Sequence, residues 1–380
     1  MDKVRTWLGD HQGALLALLE RLVNIDSGSY CKAGIDRCGE IHAAELRELS
    51  FATRTIAETE RGNHIVAERA GRGQHRLFLS GHLDTVCPEG SVAKRPFRLA
   101  DGFAHGPGVG DMKGGTVQML YALKALLALG RETPPITVFL TGDEEVGSVR
   151  GRPHIEEIAR RSDSCLVFEA SVSPGSIGIR RWGTGAYYVT IHGHAAHVLD
   201  PATPGANATR ELALKILMLE GLSDPVRGVK VSVNLVRGGT SRQVTAPEAR
   251  ADVDVRVRDH EQVVAVDARV REHASRASLP GISIEVTGGM SRPPMQPTAR
   301  TEALLALATA VGREVDVDVE PIEKMGGSDG CFASALGVPV LDAMGPLCHD
   351  ICGETERIEL GSLVPRTALI AGIIARLARP

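Results

Sequence analysis

The chain has 380 residues, 43% of them apolar and 24% charged. This composition excludes wholesale disorder and a collagen-like or low-complexity chain, and leaves room for about two domains with substantial cores. Phe, Trp and Tyr number only 7, 2 and 4, and 43 basic residues face 47 acidic ones for a net charge of −4; neither a base-stacking face nor a basic field is available, so nucleic acid is not an expected partner.

The first helix is expected in MDKVRTWLGDHQGALLALLERL, where Leu15, Leu18, Leu19 and Leu22 recur at helical spacing. That pattern is amphipathic, unlike a signal peptide, and no run of 18 apolar residues is present to cross a membrane. The expectation is a soluble, cytoplasmic protein with no membrane partner. Seven cysteines without CxxC spacing argue against a disulfide framework or a four-cysteine zinc site.

A helical stretch containing Ile41, Ala44 and Leu46 leads to two runs of strand length, HIVAERA (64–70) and RLFLSGHLD (76–84). Lys113 to Gly130 reads as a buried helix, followed by the strand ITVFL (136–140), a helix near 153–161 and the strand CLVFE (165–169). This alternation predicts a sheet sandwiched by helices. From Trp182 the texture changes. AYYVTIHG, a helix at 205–220, VKVSVNLV, ADVDVRV, a helix at 260–276 and ISIEV read as βαββαβ, the order of a ferredoxin-like module. GGMSRPPMQP (288–297) reads as the return linker, after which a helix at 301–311, the strand VPVLDAM and a helix at 362–378 resume the α/β pattern. The expected division is therefore 1–183 with 290–380 as one domain and 184–289 as an inserted one.

In SGHLDTV, His82 and Asp84 share one face of an extended chain, so Asp84 can accept the second imidazole N–H if His82 binds a metal. The bland alternative is a polar pair at a surface strand end. HGPGVGDMKGG sets Asp111 between a glycine-rich loop and a helix; the phosphate-loop order GxxxxGK[ST] is missing, and an acidic residue there suits a bridging metal ligand. TGDEEVGS places Asp143, Glu144 and Glu145 directly after ITVFL. Adjacent carboxylates repel and are costly to desolvate unless protons or a cation compensate, although on an exposed turn they are simply solvated. With a metal present, one Glu can ligate while its neighbour acts as general base. Glu169 ends CLVFE and His349 follows VPVLDAM. Two histidines and several carboxylates after separate β-type runs are what strand ends converging on one site produce. That donor set suits zinc, or less specifically cobalt or manganese, better than calcium.

In this order H-x-D, GDMKGG, DEE-x-GS, FEAS and a late His, the chain resembles the dinuclear zinc metallopeptidase and aminoacylase family. Its members include aminoacylases, succinyl-diaminopimelate desuccinylase, acetylornithine deacetylase and the bacterial folate-cleaving glutamate carboxypeptidase, whose branch AKRPFRL, GPGVGDMKGG and DEE-x-GS resemble most. The resemblance implies an α/β, phosphorylase/hydrolase-like zinc-peptidase catalytic domain with an inserted ferredoxin-like α+β dimerisation or lid domain. It also implies two divalent metal ions: His82 and Glu169 on one, Glu145 and His349 on the other, Asp111 bridging, Glu144 as general base for the bridging water, and Asp84 behind His82. A cis peptide between Asp111 and Met112 is implied as well.

HGHAAHVLDPATPGANA is similar to the family's G-x-A-x-H segment, so His197 matches the residue that reaches from a partner subunit to polarise the scissile carbonyl, and a homodimer through the inserted domain is implied. A separate metal site at His192, His194 and His197 is the competing reading. Asn207, Arg256 and Ser328 fall where related enzymes hold the substrate's free carboxylate; Arg256 lies on the face opposite Val253, Val255 and Val257, as a merely solvated arginine would too. Among departures from the family pattern, Ala170 replaces a common Pro, GGSDG (326–330) recasts GG-x-D, and Cys348 and Cys352 lie on either side of the late His. The implied activity is hydrolysis of an amide-type C–N bond in a small carboxylate-bearing substrate, an N-acyl amino acid or dipeptide. The alternatives are deacetylation or deamination of an unusual, for instance aromatic, substrate and, outside enzymes, a noncatalytic binding role.

Overall fold

A computed structural model of the protein describes residues 1–199 and 205–378. In its first part the chain runs through α1 (Asp2–Asp10), α2 (Gln12–Val23), α3 (Lys32–Glu48), β1 (Ala52–Ile56), β2 (His64–Arg69), β3 (Leu77–His82), α4 (Ser91–Lys94), β4 (Arg98–Ala100) and β5 (Phe103–His105). It continues through α5 (Gly115–Ala128), β6 (Ile136–Thr141), α6 (Arg152–Arg160), β7 (Ser164–Val167) and β8 (Ser176–Arg181). Then come β9 (Gly183–His192), α7 (Ala208–Glu220), β10 (Val229–Gly238), β11 (Glu248–Val257), α8 (His260–Ser275) and β12 (Ser283–Arg292). The last part holds α9 (Ala299–Glu314), β13 (Glu320–Lys324), α10 (Gly330–Ala335), β14 (Val340–Leu341), β15 (Cys348–His349), β16 (Arg357–Glu359) and α11 (Leu360–Leu377).

Two compact units result: Met1–Arg180 with Pro297–Glu323 and Ser328–Pro380, and Arg181–Gln296 with Lys324–Gly327. The second unit is longer than the sequence pattern suggests. Residues 288–292, expected in a linker, form the end of β12, because they stay in register with β9 as far as Arg292 opposite Thr184.

The main sheet of the first unit has the order β1-β2-β6-β3-β7-β14. β1, β2 and β6 pair antiparallel, whereas β6, β3, β7 and β14 run parallel. β3 and β7 are buried along their whole length, which is why they read as continuous apolar runs rather than alternating ones. The parallel run sets the carboxyl ends of β6, β3 and β7 side by side. The residues that follow them are Asp143 to Glu145, Leu83 and Asp84, and Phe168 and Glu169.

Helix α5 follows the turn bearing Asp111, and glycine is required where it meets the sheet: a Cβ at Gly115 would lie 1.8 Å from the Phe168 carbonyl oxygen. Gly108, at the start of the same turn, has φ +69°, the left-handed region that glycine enters at least cost. Helix α11 is long and apolar with mean hydropathy 1.4, but two-thirds of it is buried inside the unit, where it packs on α1, α5 and α9 as a core helix. A small sheet, β15-β16-β5-β4, holds the segment around His349.

The second unit has the chain order βαββαβ and the antiparallel sheet order β10-β11-β9-β12, the ferredoxin-like arrangement. Along β11 the even and odd positions separate cleanly: Ala249, Ala251, Val253, Val255 and Val257 are buried, and the residues between them are not.

Candidate metal centre

Three strand ends and one turn supply the site. His82 closes β3, and its Nε2 lies 3.2 Å from Asp111 Oδ1 and 3.6 Å from Glu169 Oε1. Ligand-type atoms of His82, Asp111 and Glu145, and likewise of His82, Glu144 and Glu169, lie within 4.8 Å of one another. The site thus brings together His82, Asp111, Glu144, Glu145 and Glu169, all in the first unit. The peptide between Asp111 and Met112 is cis.

Electrostatics set the terms here. Burial opposes a charge on His82, but hydrogen bonds from its ring to Asp111 and Glu169 win, holding its pKa well above the ordinary imidazole value. Burial, followed by the Asp111 carboxylate, pushes Glu145 up to about 10. Glu145 Oε1 is buried without a hydrogen-bond partner. A buried carboxylate oxygen left in that state beside other carboxylates is costly, and a divalent cation removes the cost. One imidazole with four carboxylates is a donor set for zinc, cobalt or manganese, so the residues present fit a metal.

Asp84 is buried, and its role differs from the expected one. The His82 Nδ1 bond goes to the Asp84 backbone carbonyl at 2.9 Å, while the carboxylate Oδ1 stands 3.6 Å away. The carboxylate instead accepts the Glu144 N–H at 3.0 Å, the Glu145 N–H at 3.1 Å and the Ser29 hydroxyl at 2.8 Å. Asp143, third member of the acidic run, turns away and accepts the Arg150 and Gly151 N–H groups at 2.7 and 3.2 Å.

His349 is not brought to the cluster. Its Nε2 bonds Glu359 Oε1 at 2.8 Å, and its ring sits edge-on to Phe103. The cause is strand alternation: in β15, Cys348 is buried while His349 faces the other way. A Cβ at Gly110 would meet the Cys348 Sγ at 2.3 Å, so the inward place beside Asp111 is already taken by that cysteine. The residue that does reach Asp111 is Cys352, whose Sγ lies 3.1 Å from Asp111 Oδ2. Burial, then the Asp111 and Glu145 carboxylates, raise the Cys352 thiol pKa.

Ser328, expected at the substrate carboxylate, is buried and donates to Asp342 Oδ2 at 2.5 Å. Three further candidates belong to the second unit. His197 is exposed, its Nδ1 accepting the Leu199 N–H at 3.3 Å. Asn207 caps α7, accepting the Arg210 N–H at 3.1 Å, and Arg256 forks onto Asp254 through two contacts of 2.8 Å. Among the described residues, His192, His194 and His197 form no metal-capable group.

Sequence reasoning missed two buried residues that shape the site. Glu356 accepts the N–H groups of Gly108, Gly110 and Asp111 at 3.1, 2.7 and 3.0 Å, fixing the turn that carries Asp111. Arg366 donates to the carbonyls of Pro174, Ser176, Ala343 and Gly345, and the Gly345 N–H in turn holds the Glu169 carbonyl at 2.8 Å. Neither stands in a motif with a local signature; only a buried charge in an otherwise apolar stretch, Arg366 among ALIAGII, hints at such a role.

Among known proteins, the chain is 31% identical over 374 residues to carboxypeptidase G2 of Pseudomonas sp. (strain RS-16), covering 97% of this chain and 90% of that one. It is 28% identical over 377 residues to a succinyl-diaminopimelate desuccinylase of Delftia acidovorans, covering 92% and 94%. Its fold matches a dinuclear metal binding peptidase of Bacillus subtilis with a TM-score of 0.74 at 15% identity, over 97% of this chain and 98% of that one. The profile of peptidase family M20/M25/M40 matches residues 78–376, a span that takes in every residue of the metal-capable cluster. With strand-end carboxylates and relatives agreeing along nearly its whole length, the chain belongs to peptidase family M20/M25/M40 and is a metal-dependent hydrolase of amide-type C–N bonds in small carboxylate-bearing substrates.

Proposed function

We propose that the chain hydrolyses the amide bond of an N-acyl amino acid or a dipeptide, with Glu144 as general base. His82, Asp111, Glu145 and Glu169 would hold two divalent cations, zinc before cobalt or manganese. The supporting observation is the pairing of Glu144 and Glu145 on one turn pinned by Asp84, both within reach of His82. Cations bound there supply a Lewis acid and an acidified water. Glu144 takes the proton of the attacking water and returns it to the leaving amine, while Asp84 keeps the Glu144 backbone from moving as the charge changes.

Beside Glu145 a cavity of about 500 Å³ is lined by Tyr30, Val86, Cys87, Pro88 and Val146, an apolar wall for the acyl or side-chain portion of a substrate. Arg256, its side chain 32% exposed, is the retained candidate for the free carboxylate. A homodimer through the second unit, with His197 acting across it, belongs to the same reading. It is supported by exposed Leu214, Leu217 and Met218 on α7 and Leu235 and Val236 on the edge strand β10. Seven free cysteines support a reducing, cytoplasmic setting.

The test is a screen of chelator-stripped and zinc- or manganese-reloaded protein against N-acyl amino acids, dipeptides, folates and aryl amines, with products identified by mass spectrometry. Metal-restored amide cleavage is expected, with Glu144→Gln keeping its metal and losing about 10² to 10⁴-fold in turnover. Unchanged turnover in that variant removes Glu144 from the mechanism, and products of C–N cleavage only from aryl amines would replace the substrate class.

A further inference from the structure

The geometry points to Cys352, in place of His349, as the side-chain donor that completes the second cation site beside Asp111 and Glu145. This rests on the reading that the centre holds a metal pair.

The two oxygens of Asp111 face different partners. Oδ1 lies 3.2 Å from His82 Nε2, and Oδ2 lies 3.1 Å from Cys352 Sγ. A carboxylate placed between an imidazole and a thiol in this way can give one oxygen to each of two cations. Glu145 belongs to the same group as His82 and Asp111, is felt electrostatically by Cys352, and has an oxygen buried without a partner. Asp111, Glu145 and Cys352 therefore surround one position, and all three are donor types that zinc accepts. His349 cannot occupy it while its ring is held by Glu359 on the opposite side of β15.

The loop that presents Cys352 is fastened independently of the thiol. The Asp350 carboxylate accepts the Thr355 N–H at 2.9 Å and the Thr355 hydroxyl at 2.6 Å, and Glu356 anchors the next residue to the Asp111 turn. Cys352 adopts φ +62°, a conformation uncommon for a side chain of its kind. Metal loading breaks the S–H bond, releases the proton to solvent and gives the thiolate lone pair to the cation. A sulfur donor also biases that position toward zinc or cobalt over manganese or magnesium.

Stripped protein is reloaded with cobalt(II) for absorption spectroscopy and with zinc for X-ray absorption, alongside Cys352→Ser and His349→Ala variants checked for folding by circular dichroism. Wild type and His349→Ala are expected to show a near-ultraviolet thiolate-to-cobalt charge-transfer band and a metal–sulfur shell at about 2.3 Å. Cys352→Ser is expected to lose both and to retain one metal ion per chain in place of two after dialysis. Two bound metals with only nitrogen and oxygen neighbours in the wild type would overturn the inference. So would a charge-transfer band that survives Cys352→Ser, or loss of the second metal in His349→Ala with its retention in Cys352→Ser. These readouts need no turnover: a sulfur-ligated metal pair in a protein that cleaves no amide leaves Cys352 in place and rejects only the substrate reading, whereas a protein that binds no metal rejects the thiolate together with the pair.

Discussion

The Asp84 carboxylate accepts the backbone N–H of Glu144 at 3.0 Å, so the residue after β3 fixes the turn after β6. Its other oxygen does the same for Glu145. Asp84→Asn puts an amide N–H₂ against one of these donors and frees the turn to rotate. Metal affinity is expected to fall about 10 to 100-fold, the usual cost of losing a group that orients ligands. Chelator competition followed by metal analysis measures it; affinity within twofold of wild type would mean the turn is held by other contacts.

Glu356 offers a contrast between two substitutions. Burial, and secondarily the Asp111 charge, push its carboxyl up to about 7 against the pull of three backbone N–H groups. Glu356→Gln keeps one strong acceptor and the shape, and is expected to cost about 1 kcal/mol. Glu356→Ala leaves three buried donors unpaired and is expected to cost about 3 kcal/mol or more, at about 1 to 3 kcal/mol each. Equal denaturation midpoints for the two variants would contradict this account of the Asp111 turn.

Arg366 is 1% exposed, and burial lowers its pKa to about 9. Its four carbonyl acceptors have no replacement in Arg366→Met, for which a loss of about 3 to 5 kcal/mol is expected from urea unfolding. Because Gly345 links this network to Glu169, a milder Arg366→Lys variant is expected to bind metal more weakly even where it stays folded. Full metal affinity in a destabilised Arg366→Lys protein would separate the network from the site.

His42 supplies a pH dependence away from the metal centre. Its Nδ1 donates to the Cys38 carbonyl at 2.8 Å and its Nε2 faces the Thr116 hydroxyl at 2.9 Å, and burial lowers its pKa from 6.5 to about 4. The unfolded chain therefore takes up a proton at higher pH than the folded one. Stability contributed by the neutral ring is complete above pH 6.5 and is lost as the pH falls toward 4. Between pH 8 and pH 5 the loss from this group is about 2 kcal/mol. Comparing unfolding free energies of wild type and His42→Gln at both pH values isolates the effect; parallel losses in the two proteins would exclude it.

The acidic run after β6 shows how far local pattern reaches. Its position after an apolar strand is plain in TVFLTGDEE, and so is the cost of burying it. Which carboxylate turns inward is not. Asp143 goes to the Arg150 and Gly151 amides and Glu145 to the cluster, because the turn is oriented by Asp84, which belongs to another strand. Similarly, β15 is only two residues long, too short for its alternation to be read before its pairing with β16 is known.

The sequence by itself determined the layers and most of the donors: apolar runs long enough for buried strands, a βαββαβ module, and His82, Asp111, Glu144, Glu145 and Glu169 at strand ends or beside a glycine turn. Those features rest on periodicity and on neighbours within a few residues, which a linear pattern carries. Tertiary structure alone decided that Glu356 ties down the Asp111 turn, that Arg366 gathers four carbonyls, and that Cys352 rather than His349 approaches Asp111. Each depends on partners far apart in the chain, as Cys352 and Asp111 are at 241 residues. Burial leaves such polar groups no water to bond, so whatever the fold brings within reach fixes their roles.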